Sequence, residues 1–260
     1  YEMSASLVGS EMCIRDRTNG KYNDLLAMEK LAHNAVITTS GYDSLVTDSA
    51  NSASAYATGH KSVVNAMGVY EDSTKDPLDD PKVENVSEIL KRTRGMSIGL
   101  VTQAESTDAT PAAMVGHTRR RAAQDFLAKD YLEDYHRPDV ILGGGSARYI
   151  PKDVPGSKRK DQVNVIEEFK NKGYTFVDNS TDLMKAPTDK PLLGLFHTST
   201  MNVYIDREME KNPKVLKGFT DQPNLMNMTK KTLDILSKNP NGFFAMIEGA
   251  SIDKQLHVMD

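Results

Sequence analysis

Three stretches of this sequence hold side chains that could do chemistry together. The last, "GFFAMIEGASIDKQLH" (242–257), runs an apolar segment into Glu248 and then places Asp253 and His257 four residues apart. Four residues is about one helical turn, so that carboxylate and imidazole share a helix face. Such a pair suits a divalent transition metal such as zinc. Glu248 follows "FFAMI" directly, and burying it as a charge without a partner costs several kcal/mol. It could reach the same metal or a neighbouring one. A surface Asp–His pair beside a buried, hydrogen-bonded Glu accounts for the same residues.

The second stretch is "SLVTDSANSASAYATG" (44–59). Val46 reads as the end of a short extended segment. Asp48 and Ser49 then open a run of small residues that closes on Gly59, the pattern of a closely packed helix presenting Ser49 at its N-terminus. Free N–H groups and partial positive charge there suit a phosphate or an oxyanion. A plain N-cap role for Asp48 or Ser49 remains the other reading. There is no G-x-S-x-G elbow, and "GHKS" (59–62) lacks the glycine pattern of a phosphate-binding P-loop. A serine without a histidine partner would need a metal to lower its pKa.

The third stretch is "LVTQAESTDATPAAMVGHTRRR" (100–121). A strand leads to Asp108 and Thr110, and Pro111 suits a first helical turn. His117 and Arg121 are expected on that helix, four apart. One guanidinium can grip two phosphate oxygens, where a lysine gives a point charge. A solvated helix face explains a triple-Arg run equally well, Asp108 and Thr110 could be capping groups, and His117 reads as structural.

The elements that must position these groups alternate. Helical spacing covers 22–32, 83–94 (stopped by Gly95), 161–174 and 223–239; apolar strands fall at 96–104, 139–145, 175–177, 191–196 and 242–249. Continuous apolar strands separated by helices predict an α/β fold, a three-layer α/β/α sandwich with a mostly parallel sheet covered on both faces. Sites in such folds lie at the carboxyl ends of strands, where Glu248, the Gln103–Asp108 region and Gly143–Gly145 fall. Residues 151–160 and 197–222 read as long irregular connections.

Composition sets outer bounds. The 260 residues carry 38% hydrophobic and 26% charged side chains and a net charge of −4. That balance gives no basic face for nucleic acid. No run approaches the ~18 apolar residues of a membrane span. Cys13 is the one cysteine, so an intrachain disulfide and a Cys-rich zinc site are excluded. The opening "YEMSASLVGSEMCIRDR" has no signal-peptide pattern. Residues 1–17 are expected to be non-native, resembling translated sequencing-adaptor read-through, which would make Cys13 foreign too. Residues 18–260 then form one partial domain.

Taken together, "VTDSANSASAYATG", "TDATPAAMVGHTRRR", "DVILGGG" and "GFFAMIEGASIDKQLH" resemble alkaline phosphatase of the bacterial type, in this order and with similar spacing. The resemblance covers about Tyr22 to Asp260. It implies an incomplete alkaline-phosphatase-like α/β/α domain and a hydrolase of phosphate monoesters with two zinc ions (Zn2+) and one magnesium (Mg2+). By the same resemblance, Ser49 matches the nucleophile that becomes phosphoserine and a zinc ligand. Asp48 helps orient the arginine, and Arg121 is the phosphate clamp. Thr110 and Glu248 match magnesium ligands, and Asp253 and His257 match ligands of the zinc on the leaving-group side. Asp108 and Lys254 match a pair near magnesium and phosphate, with Asp108 bonded to groups around the ion. A periplasmic or secreted location and a homodimer are implied by the family.

The pattern is also incomplete. The family's early Gly-Asp-Gly, its Asp-His pair and its final His are absent. The stop at Asp260 is therefore expected to be the edge of a gene fragment, itself inactive. A phosphodiesterase or sulfatase of the same superfamily is one alternative, and a non-catalytic phosphate- or metal-binding protein is another.

Overall fold

Successive side chains of a strand point to opposite faces of its sheet, and here both faces find apolar partners. A computed structural model describes residues 30–33, 37–70, 72 and 74–258. Its strands are β1 (Ser97–Glu105), β2 (Val140–Gly144), β3 (Thr175–Val177), β4 (Leu192–Leu195) and β5 (Phe243–Glu248). They form one sheet in the order β3-β4-β2-β1-β5, with every neighbouring pair parallel. The helices are α1 (Ser49–Thr58), α2 (Val86–Arg94), α3 (Ala109–Ala112), α4 (Gln124–Asp130), α5 (Val165–Asn171), α6 (Ser180–Lys185), α7 (Pro213–Leu216), α8 (Leu225–Leu236) and α9 (Ser251–Val258).

On one face, Ile98 and Leu100 of β1, Ile141 of β2 and Leu193 of β4 pack with Ala50 and Ala53 of α1, Leu127 of α4 and Phe169 of α5. On the other, Val101, Val140, Leu142 and Leu192 meet Leu183 of α6 and Met228 and Leu236 of α8. The result is an α/β/α arrangement, and each fully buried Leu, Ile or Phe contributes about 1.5–3 kcal/mol. Gly99 lets α8 approach closely: a Cβ there would lie 2.7 Å from Leu236 Cδ1 and 3.0 Å from Thr232 Cγ2. Among the described residues no helix is long and apolar enough to cross a membrane.

Local chemistry explains where elements begin and end. Asn85 and Glu88 form a reciprocal capping box on α2, and Gly95 ends it in the left-handed conformation. The expected helix over 161–174 is shorter. It starts at Val165 because Asn164 caps it, and its last turn closes at Lys172. Leu45 and Val46 form bends, and Ser44 before them is in no strand, so the expected extended segment is not formed. The helix expected to carry His117 and Arg121 ends at Ala112. Beyond it the chain turns, and Thr118 pairs with Met67 in an antiparallel bridge, so both residues lie on a loop. The connection 197–222 contains a π-helical turn, Ile205–Glu210, and α7. Most of the expected helix at 22–32 lies outside the described residues, as do residues 1–17; the described residues 30–32 are not α-helical. Among the described residues β5, expected to be buried, has one strand neighbour, β1, and its residues are mostly half-buried, with Ile247 exposed.

Candidate active site

The site grows from the N-terminus of α1. Asp48 has extended backbone geometry and caps the helix: its Oδ1 accepts from Asn51 N at 3.1 Å, and Asn51 Oδ1 accepts from Asp48 N at 3.1 Å. The same Oδ1 also accepts from Asn65 N at 3.2 Å. Ser49 is therefore the first helical residue, held at the helix mouth. The small side chains behind it (Ala50, Ala53, Ala57) are buried against α3.

The loop after α3 brings in Arg121. Its backbone N donates to Asn65 O at 2.9 Å. Nη1 donates to Asp48 Oδ2 at 3.0 Å and to Ser49 Oγ at 2.9 Å, and Nη2 donates to Asp108 Oδ1 at 3.0 Å. Asp108, just past the carboxyl end of β1, caps α3 and accepts from Lys254 Nζ at 2.9 Å. Burial works to raise the Asp108 carboxyl, but Lys254 and Arg121 outweigh it and hold it below the usual range. Burial likewise works against the charge on Lys254 and Arg121, and their carboxylate partners overcome it and raise both.

α9 closes the site. Thr47, Asp48, Ser49, Arg121, Asp253, Lys254 and His257 line one cavity of about 110 Å³. Asp253 Oδ1 lies 3.4 Å from His257 Nε2 across one turn of α9. Two atoms bound to a tetrahedral zinc at about 2.0–2.1 Å are themselves roughly 3.3 Å apart, so the spacing fits a shared ion. Glu248 belongs to a separate group. It sits beside Thr102 in the β1–β5 register, and its Oε2 accepts from Thr102 Oγ1 at 2.5 Å. Burial raises its carboxyl above the ordinary value, opposed by the hydroxyls of Thr102 and Thr110. A half-buried carboxylate among hydroxyl oxygens is a donor set for a hard divalent cation.

Gly143–Gly145 do not line this cavity. A Cβ on Gly144 would meet Ser199 O at 2.0 Å, so the glycines serve close backbone packing. Arg119 turns away to the carbonyls of Asp72 and Thr74. Sequence reasoning missed Asn65 and Thr102. The β1–β5 register is the signal for Thr102; Asn65, at φ 72, holds its backbone toward Asp48 and has no sequence signal. It also missed Glu88 and His136, which meet His117 in the interior.

This chain resembles known proteins over most of its length. It is 35% identical over 219 residues to alkaline phosphatase 4 of Bacillus subtilis (strain 168), covering 83% of this chain and 41% of that protein. The crystal structure of a cold-active alkaline phosphatase from the psychrophile Shewanella sp. superposes with a TM-score of 0.74 at 29% identity, over 100% of this chain and 55% of that one. A variant of TAB5 alkaline phosphatase, described with magnesium bound in its M3 site, matches with a TM-score of 0.65 at 28% identity, over 86% and 56%. The chain thus spans about half the length of these relatives. The family model for alkaline phosphatase matches residues 2–260, and the chain belongs to that family.

Proposed function

We propose that the whole protein hydrolyses phosphate monoesters through a phosphoserine formed on Ser49. The observation that carries this is the placement of Arg121 Nη1 within 2.9 Å of Ser49 Oγ at the mouth of α1. A phosphoryl group at that point meets a guanidinium and the helix N-terminus together. Ser49 Oγ attacks phosphorus as the bond to the leaving alcohol breaks; water then cleaves the Ser49–phosphorus ester and releases phosphate. Arg121 holds the non-bridging oxygens through both steps, and Asp48 and Asp108 hold Arg121. Positioning and charge stabilisation carry most of such a reaction.

Asp253 and His257 would hold one zinc, Ser49 across the cavity would hold a second, and Glu248 with Thr110 would hold magnesium. When bound, such ions supply positive charge that lowers the pKa of a coordinated hydroxyl or water and stabilises a leaving oxygen. Lys254, through Asp108, keeps this end of the cavity charged and ordered. The homodimer and the periplasmic or secreted location follow from family membership alone and form part of the same proposal.

The test uses the whole protein. After mixing with an aryl phosphate and quenching at low pH, phosphoserine is expected in the peptide containing Ser49. Turnover should fall by orders of magnitude in Ser49→Ala. Unchanged turnover in that variant would refute the nucleophile. Faster hydrolysis of diesters or sulfate esters than of monoesters would favour the sister activities instead.

A further inference from the structure

Glu88, His117 and His136 come from three separate parts of the chain: the first turn of α2, the loop after α3, and the segment between α4 and β2. Their ligand atoms lie within 4.8 Å of one another, the one such trio of His, Cys, Asp or Glu among the described residues. All are buried, with Glu88 5%, His117 2% and His136 0% exposed.

Each imidazole is fixed from behind by a backbone carbonyl. His117 Nδ1 lies 2.6 Å from Gly68 O, and His136 Nε2 lies 2.6 Å from Asp130 O. A carbonyl can only accept, so both far nitrogens carry protons. The near nitrogens then turn toward one carboxylate oxygen: His117 Nε2 is 2.8 Å and His136 Nδ1 3.5 Å from Glu88 Oε1. This is how outer hydrogen bonds orient metal-binding histidines. His136 Nδ1 is fully buried and faces Glu88 Oε1 at 3.5 Å, too long for a well-formed hydrogen bond. Glu88 Oε2 is anchored by Asn85 N at 2.8 Å, which leaves Oε1 for the centre. Gly68 is part of the construction: at φ 57, a Cβ there would lie 2.7 Å from His117 Nδ1.

We propose that Glu88, His117 and His136 form a binding site for a divalent metal ion of the zinc class, with water in the fourth position. Two imidazoles and a carboxylate are a characteristic zinc donor set. The Glu88–His136 spacing of 3.5 Å already matches the roughly 3.3 Å between ligands of a tetrahedral ion. The shorter Glu88–His117 contact of 2.8 Å opens when the ion enters between the two side chains. A pocket of about 490 Å³, lined by Glu84 and Asp134 and also by Lys82, Lys91 and Arg92, reaches Glu88 and His117 from the surface. The bound ion ties α2 to the loop that runs from His117 to Arg121, so it braces the arginine of the Ser49 site. It shares no ligand with that site.

The test uses a background carrying Asp108→Asn, Glu248→Gln, Asp253→Asn and His257→Ala, which disables the donors around Ser49. Titration with cobalt(II) is expected to give one bound equivalent, the visible bands of a tetrahedral ion, release of about one proton and a higher Tm. Adding His136→Ala or Glu88→Gln should remove the bands and the Tm gain. A background protein that is folded by circular dichroism yet takes up no cobalt overturns the site, leaving a hydrogen-bonded trio. Uptake that survives both added substitutions overturns it as well. Should the background fold poorly, His136→Ala in the otherwise unaltered chain is expected to lower the bound-metal count by one; an unchanged count refutes the site. A failure of this site would leave the proposed chemistry at Ser49 standing, because the two share no ligand.

Discussion

Lys254 donates to Asp108 Oδ2 at 2.9 Å, an ion pair closed across 146 residues of sequence. It fastens α9 to the carboxyl end of β1, and so turns Asp253 and His257 toward the cavity that holds Ser49. The pair is partly shielded, with the Lys254 side chain 33% exposed. Lys254→Met is expected to cost about 1–2 kcal/mol, read as a lower urea midpoint. A double-mutant cycle with Asp108→Asn isolates the pair. Strict additivity of the two single changes would show that it contributes nothing.

Asp48 has two duties that substitution can separate. Its Oδ1 caps α1 and accepts from Asn65, while Oδ2 pairs with Arg121. Asp48→Asn keeps an acceptor for the backbone donors and loses the charge. Asp48→Ala loses both. Chemical unfolding should show Ala costing about 1 kcal/mol more than Asn, the worth of an N-cap. Equal losses would mean that the cap carries none of the stability.

How much of this was legible beforehand depends on range. The five strands and most of the helices follow from apolar periodicity and capping residues, which are local signals. The N-cap at Asp48 and the shared face of Asp253 and His257 are local too, and the structure has both. The loop geometry of Arg121 was not legible. The helix was expected to continue past Ala112, and what redirects the chain is a bridge from Thr118 to Met67, some fifty residues away in sequence. His136 was invisible for the same reason: only tertiary packing sets it beside Glu88 and His117.

Glu248 makes opposite predictions with and without an ion. Burial raises its carboxyl, so the charged form is disfavoured in the ion-free protein. Glu248→Gln should therefore leave metal-free stability at neutral pH unchanged or slightly higher. Calorimetric titration of the whole protein should show magnesium affinity falling by more than about tenfold. Unchanged affinity would remove Glu248 from the magnesium site.

His197 supplies an acid-sensitive element away from the Ser49 cavity. It is buried, its Nδ1 accepts from Ser199 N at 3.0 Å, and its Nε2 has no partner. Burial lowers its pKa from the ordinary 6.5. Below about pH 6.5 the unfolded chain takes up a proton that the folded chain refuses, so stability is present above that pH and declines as pH falls. The slope from this one group is at most about 1.4 kcal/mol per pH unit. Urea midpoints measured from pH 7.5 downward should flatten in His197→Gln. An identical slope in that variant would assign the acid sensitivity to other groups.

The 260-residue chain by itself is expected to hydrolyse aryl phosphates far more slowly than a full-length relative, even with zinc and magnesium supplied. Of the proposed zinc ligands, the described residues would offer two, Asp253 and His257, to an ion beside the leaving group and only Ser49 Oγ to an ion beside the nucleophile. Catalytic zinc is usually held by three protein ligands. An ion held by two half-exposed side chains would exchange readily and would do little to activate the Ser49 hydroxyl. Arg121 and the mouth of α1 can still attract phosphate, because Asp48, Ser49 and Asp108 hold the guanidinium in place directly. Inorganic phosphate should therefore bind weakly, with affinity lowered at least about tenfold in Arg121→Met, while turnover stays near background. Steady hydrolysis at a relative's rate would show that the described ligands suffice.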